Sequence, residues 1–164
     1  MDVNTKRTQS AARYLSKERG GARGALGYAW KITVDGETYQ CFCNGFTGFF
    51  LKKFIDIPEQ EKPAIKDFQK LVPNRLELIE YEFIQSNAKA EQKHHKKSQA
   101  GIKEKLRTAC VYRVGNSSYN IDHIVDCINI LGGDIIFKNN PNNPNGIGLL
   151  ESENGMAIIL PLRR

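Results

Sequence analysis

Long apolar runs are missing from this chain. No stretch approaches the roughly 18 apolar residues that a membrane-spanning helix needs, and the opening Met-Asp-Val-Asn-Thr-Lys lacks the apolar core of a secretory signal peptide. We therefore expect a soluble, cytoplasmic protein that makes no contact with a membrane.

Motifs of catalysis are also missing. The chain contains no Walker phosphate loop, no nucleophile elbow, and no carboxylates or metal ligands at a recognised spacing. Residues 20–24 are basic and rich in glycine, but they precede a strand pattern instead of opening a helix, so we interpret them as a flexible turn. Asp122, His123 and Asp126 fall on one predicted helix and are a weak hint of acid–base chemistry. We expect a protein that is not an enzyme and has no cofactor.

Cysteine is scarce and has no pattern of its own. The four cysteines, Cys41, Cys43, Cys110 and Cys127, lie in apolar strand or helix patterns, where a reduced thiol behaves as a small buried hydrophobe. We expect Cys41 and Cys43 to point away from each other on a strand. No histidine stands at a zinc-finger spacing from them, so we expect no metal site.

Positive charge is in excess, and it is concentrated. Lys and Arg total 24 against 18 acidic residues in 164, for a formal charge of +6. Residues 6–23 and 89–107 carry +5 each, so the remainder sums to −4. A protein that faces nucleic acid on one side shows such a distribution, and so does one whose basic clusters only aid solubility.

The periodic segments predict a single α+β domain, residues 1–164, made of two similar halves. The first half has a predicted helix over 8–19 and strands over 26–34, 37–43 and 46–51, with a tight turn at Asp35-Gly36. The second half has a β-rich segment over 108–114, a helix over 120–131, and strands over 134–138, 147–151 and 156–160. Each half leaves a sheet face and a helix stripe to be covered, so the halves are expected to pack together with their helices side by side.

Residues 57–107 are expected to be a helical insertion between the halves. Three prolines mark its beginning, a short helix is predicted near 64–71, and a long helix is predicted to begin near Leu76 and to become entirely polar after residue 87. A helix of that kind projects into solvent or lies along a charged partner.

The most informative pattern lies in residues 119–164. After Tyr119, Asn120 is suited to cap a helix, and Gly132-Gly133 are suited to end it. The helix has one apolar stripe, formed by Ile121, Ile124, Val125, Ile128 and Leu131. The chain closes on Ile-Ile-Leu-Pro-Leu-Arg-Arg. In this order of signals the segment resembles the end of the bacterial DNA polymerase sliding clamp, which has an aromatic-Asn-Val/Ile helix start and a hydrophobic-Met/Leu-Pro-hydrophobic-Arg tail.

The resemblance implies a clamp-like domain, with two helices packed on antiparallel sheets, that acts in DNA replication without chemistry. In that family basic side chains on the helices face duplex DNA. The matching candidates here are Arg13, Lys17, Arg19 and Arg23, with Lys93, Lys96 and Lys97 from the insertion. The family's C-terminal strand and tail line a groove for peptide motifs of replication proteins. The matching positions here are Ile158, Leu160, Pro161 and Leu162.

The chain departs from the family in carrying one such domain where a clamp subunit has three. A ring would therefore require a homo-oligomer or another partner. The family's helix has an aromatic residue at the position of His123, which argues against a catalytic role there. The alternative is an interaction or inhibitory protein, encoded by a phage or mobile element, that binds a host protein through a clamp-like fold.

Overall fold

The computed structural model describes residues 2–163. These residues form three α-helices: α1 (Val3–Arg19), α2 (Gln85–Gln99) and α3 (Ile121–Leu131). They also form nine strands: β1 (Trp30–Val34), β2 (Glu37–Cys43), β3 (Thr47–Leu51), β4 (Ile79–Tyr81), β5 (Val111–Val114), β6 (Ser117–Asn120), β7 (Ile136–Asn139), β8 (Gly148–Ser152) and β9 (Gly155–Ile159). The predicted α+β class is confirmed.

Seven of these strands form one antiparallel sheet in the order β1-β2-β3-β9-β8-β7-β4, and β5 pairs with β6 in a separate hairpin. The last strands of the two halves, β3 and β9, lie side by side at the centre, with Phe49 opposite Ala157. Asp35 and Gly36 both have positive φ, of 53° and 80°, as a tight two-residue hairpin turn requires. Two units of a helix and three strands thus join edge to edge.

The helices α1 and α3 lie beside each other on one face of this sheet. Phe42 and Phe49 project from that face and pack with Leu15 of α1 and Ile124 of α3 in the main core. Tyr14 of α1 packs edge-on against both phenylalanines, with ring centroids 5.7 and 5.4 Å away. The predicted pairing of two helices on an antiparallel sheet is confirmed.

The opposite face of the sheet is covered by the first part of the insertion. Phe68 stacks on Phe50 with ring centroids 4.6 Å apart and also packs on Trp30. Cys41 and Cys43 both lie in this second cluster. Our expectation that the two thiols point apart was wrong, because residues two apart on a strand share a face.

The insertion is less helical than predicted. The helix expected from Leu76 does not form there: residues 79–81 are strand β4, which pairs with β7 and places Glu80 opposite Lys138. Ile79 and Tyr81 have strand spacing, and edge pairing with β7 outweighs a helical pattern that has no cap before Gln85. The helix expected near 64–71 is only a 3₁₀ turn at Phe68–Leu71.

Other element boundaries differ by a few residues. The helix α1 begins at Val3 instead of residue 8, because the Asp2 side chain accepts a hydrogen bond from the Thr5 amide at 2.9 Å and caps it. Strand β1 begins only at Trp30, since a 3₁₀ turn occupies Gly24–Gly27. The short strand β6 was not predicted. As predicted, Asn120 caps α3 by accepting from the Asp122 amide at 2.9 Å.

Candidate functional site

A groove runs along the helical side of the protein, with α3 as its floor and α1 and α2 as its walls. Both α1 and α2 pack against α3. The wide end of the groove encloses about 570 Å³. Its polar lining includes Arg13, Lys17, Gln92, Lys96, Asp122 and Asp126.

Basic side chains form a row along each of the two helices that border the groove. Lys6, Arg13 and Lys17 recur at helical spacing along α1, and Lys89, Lys93 and Lys96 do so along α2. We call these the α1 row and the α2 row. None of the six takes part in an ion pair with another residue of the described part of the chain, 2–163. No carboxylate in that part of the chain therefore lies within ion-pair distance of them, although Arg13, Lys17 and Lys96 act on Asp126 from farther away.

The floor of the groove carries opposite charge. Asp122 and Asp126 lie one turn apart on α3, and the Gln92 side chain donates a hydrogen bond to Asp122 Oδ1 at 2.7 Å. Burial raises the pKa of Asp126 to about 6, and Asp122 adds to this rise, whereas Lys17, Lys96 and Arg13 oppose it. The groove therefore gains positive charge as the pH falls through about 6.

His123, the possible acid–base residue on α3, has a packing role. The His123 ring stacks on Phe46, with centroids 4.9 Å apart and planes within 15°. Burial lowers the pKa of His123, although Asp122 opposes this. No hydrogen bond joins His123 to Asp122 or Asp126 within residues 2–163, so the three side chains do not form a proton relay there.

The structure brings together only some of the predicted DNA-binding residues. Arg13, Lys17 and Lys96 line the groove, and Lys93 and Lys97 are exposed beside it on α2. Lys6 and Lys89 were not singled out from the sequence, although their spacing to Arg13 and Lys93 could have revealed them.

Arg19 and Arg23 make local structural contacts. Arg19 donates to the Gly27 carbonyl at 2.8 Å and lies over the Tyr28 ring. Arg23 donates to the Asn44 carbonyl at 2.9 Å and pairs with Glu18 at 3.8 Å. These contacts hold the segment that joins α1 to β1, and the DNA-binding role of both residues stays a prediction.

Two of the four predicted partner-binding residues line an apolar cavity on the other side of the sheet. The cavity encloses about 160 Å³ and includes Ile158 and Leu160, with Ile65, Phe68, Leu71 and Ile147 among its other lining residues. Leu160 is 43% exposed, whereas Ile158 is 6% exposed and belongs to the core. Pro161 follows, and the Leu162 amide donates to the Ser118 carbonyl at 2.7 Å, so the tail is tied to β6.

Comparisons with protein-family models, curated proteins and solved structures found no match to this chain. No helix among residues 2–163 is long and apolar enough to cross a bilayer. The same residues contain no group of three or more His, Cys, Asp or Glu side chains placed to hold a metal ion.

Proposed function

We propose that this protein is a non-enzymatic binding protein for duplex DNA, which it contacts through the phosphates at the helical groove. The observation that carries the proposal is the pair of basic rows on α1 and α2, whose charges have no acidic partner among the described ion pairs. Contacts of this kind are independent of base sequence and release counterions from DNA.

The resemblance of residues 119–164 to the sliding clamp supports placing the DNA contacts on the same, helical face of the molecule. A clamp presents paired helices to the duplex, and here α1 and α3 lie side by side with a basic row on α1. The acidic floor at Asp122 and Asp126 keeps phosphates away from α3 itself. We therefore assign the DNA contacts to the walls of the groove. In this proposal the protein acts in the replication of a phage or mobile element, and several copies of it would assemble around DNA.

Fluorescence anisotropy with a labelled duplex of random sequence, titrated at several salt concentrations, tests this proposal. The double variant Arg13→Glu/Lys17→Glu is expected to bind more weakly and to reduce the slope of log K against log salt by about two, since each lost phosphate contact removes about 0.9. Lys62→Glu/Lys66→Glu is the matched control, because it reverses the same number of charges at two exposed positions of the insertion, near the opposite sheet face. If the affinity of the wild type does not depend on salt concentration, or if both variants lose the same affinity, the proposal is wrong.

The apolar cavity supports a second candidate function, the binding of a protein partner. Its lining is almost wholly apolar, and Leu160 at its mouth is partly exposed. Pockets of this type accept an apolar side chain of a docking peptide. The partner would be a replication protein with a short motif, or a host protein that this chain inhibits.

Selection of displayed random peptides on the immobilised protein tests the second candidate. We expect enrichment of peptides with a shared apolar residue, and loss of their binding in Leu160→Asp. Leu76→Asp is the matched control, because Leu76 is 94% exposed and does not line the cavity. If no shared residue is enriched, or if both variants bind the peptides equally, the cavity is not a docking site.

A further inference from the structure

The narrow end of the groove contains a second pocket, of about 180 Å³. It lies where the first turns of α1 and α2 meet the last turn of α3. Its polar lining consists of Lys6, Arg7, Gln85, Lys89 and Asn129, and no Asp or Glu is among the described residues that line it. We propose that this pocket binds a single phosphate group.

The two lysines of the pocket repel each other when it is empty. Burial lowers the pKa of Lys89, and the neighbouring ammonium group of Lys6 lowers it further. Both lysines line the same pocket, and like charges that share a pocket destabilise the folded protein unless an anion lies between them. A phosphate would convert this repulsion into two charge-assisted hydrogen bonds.

Arg7 adds a buried cation that has no carboxylate partner within residues 2–163. Its side chain is 1% exposed. Its Nε donates to the Ile130 carbonyl at 2.9 Å, and one terminal nitrogen donates to the Lys53 carbonyl at 3.2 Å. Buried charges in proteins are ordinarily paired with an opposite charge. A third hydrogen bond runs from the other terminal nitrogen to Asn4 Oδ1 at 3.4 Å. All three acceptors are neutral oxygens, so no carboxylate within residues 2–163 neutralises this charge.

Helix dipoles do not cancel this positive charge. The C-terminus of α3 contributes about half a negative charge, whereas the N-termini of α1 and α2 contribute about half a positive charge each. The Asp2 side chain already caps α1, but α2 begins without a side-chain cap at Ile84. Because Asp2 offsets the N-terminus of α1, the dipoles of α2 and α3 roughly cancel, and the pocket keeps the net positive charge of its own lining.

The pocket has the size and the donors for a tetrahedral oxyanion. Its volume is well above the roughly 30 Å³ that one water occupies in the liquid, so a phosphate with attached water fits. Gln85 is held in place by donating to the Gly133 carbonyl at 3.0 Å. At Gly132 an added Cβ would lie 3.0 Å from Cδ of Arg7. Any residue larger than glycine would therefore crowd the arginine side chain. The site deepens the proposed function, on which its assignment to a DNA phosphate rests.

Thermal unfolding with inorganic phosphate, against chloride at equal ionic strength, tests the pocket directly. Phosphate at ten times its Kd is expected to raise the Tm of the wild type by about 3 to 6 °C. In Lys89→Gln most of this rise should be lost, while the Tm in chloride should not fall, because the repulsion from Lys6 is removed. Lys93→Gln, one turn further along α2 and outside the pocket, should respond to phosphate as the wild type does. An equal response in all three proteins, or none in the wild type, would overturn the proposal.

Anisotropy titrations with a duplex that carries a 5′-phosphate, and with the same duplex lacking it, separate the two sources of phosphate. If phosphate stabilises the wild type but neither duplex binds, the pocket stands as a site for a free phosphate or phosphomonoester, and the proposed DNA function is wrong. If both duplexes bind equally and Lys89→Gln weakens both, the ligand is a backbone phosphate. If the duplexes bind, phosphate has no effect on Tm, and Lys89→Gln binds DNA like the wild type, the pocket is wrong while the DNA function stands.

Discussion

The carboxylate of Asp126 predicts an unusual dependence of stability on pH. Its pKa is raised from 3.8 to about 6 in the folded protein, chiefly by burial between α1 and α3. The groups that face it are Arg13 and Lys17 from α1, Lys96 from α2 and Asp122 from α3. Because the folded state holds this proton more tightly than the unfolded state does, the contribution of Asp126 to stability is greatest in acid. It is lost as the pH rises from about 4 to about 6.

The magnitude follows from that difference in pKa. Two pKa units correspond to roughly 3 kcal/mol, and the open side of the groove reduces this by solvent screening to about 1 to 2 kcal/mol. Asp126→Asn removes the charge but keeps the shape. The variant is therefore expected to be more stable than the wild type by about 1 to 2 kcal/mol at pH 8, and equally stable near pH 4.

Urea unfolding followed by circular dichroism, at intervals from pH 4 to pH 8, measures this difference. Asp134→Asn is the control, because it removes a charge from an exposed position outside the groove. The difference in free energy of unfolding between Asp134→Asn and the wild type should not change over the pH range in which Asp126 titrates. If Asp126→Asn is less stable than the wild type at pH 8, Asp126 is held there by a favourable ion pair with Lys17. In that case burial does not dominate its energetics.

Three further predictions concern the same elements. The affinity of the wild type for duplex DNA should rise as the pH falls from 7 to 5.5, because the groove floor loses a negative charge. In Asp126→Asn it should stay constant over that range; anisotropy titrations measure both. Asn120→Ala should lower the free energy of unfolding by about 1 kcal/mol through loss of the α3 cap, as measured by urea unfolding. Tyr14→Phe should cost about 1 to 2 kcal/mol in the same assay, since the Tyr14 hydroxyl lies 2.9 Å from the buried Thr47 carbonyl oxygen.

Local signals in the sequence were sufficient where they agreed with one another. The cap at Asn120, the apolar stripe and the glycines after Leu131 all favoured the same helix, which forms within a residue of its predicted bounds. The hairpin turn at Asp35-Gly36 was equally clear. In the insertion the local signals did not agree: its apolar residues near Ile79 fit a helix as well as a strand. Only pairing with the neighbouring strand β7 decides between the two structures.

The candidate site was only partly predictable for a related reason. Charge counting along the chain found both basic segments, but it could not show that Arg19 and Arg23 are held by Gly27 and Asn44. Nor could it show that Lys6 and Lys89, far apart in sequence, approach each other. Both facts depend on how α1, α2 and α3 pack, which spacing along the chain does not specify.

The insertion explains why a nearly symmetric fold carries an asymmetric surface. The two units of a helix and three strands meet at β3 and β9, and by themselves they would leave α1 and α3 equivalent and open to solvent. The insertion places α2 against α3. This third helix adds Lys96 to the wide end of the groove and brings Lys89 to Lys6 at the narrow end. Shortening the insertion so that α2 is lost should therefore remove the phosphate pocket, while the β3–β9 junction remains.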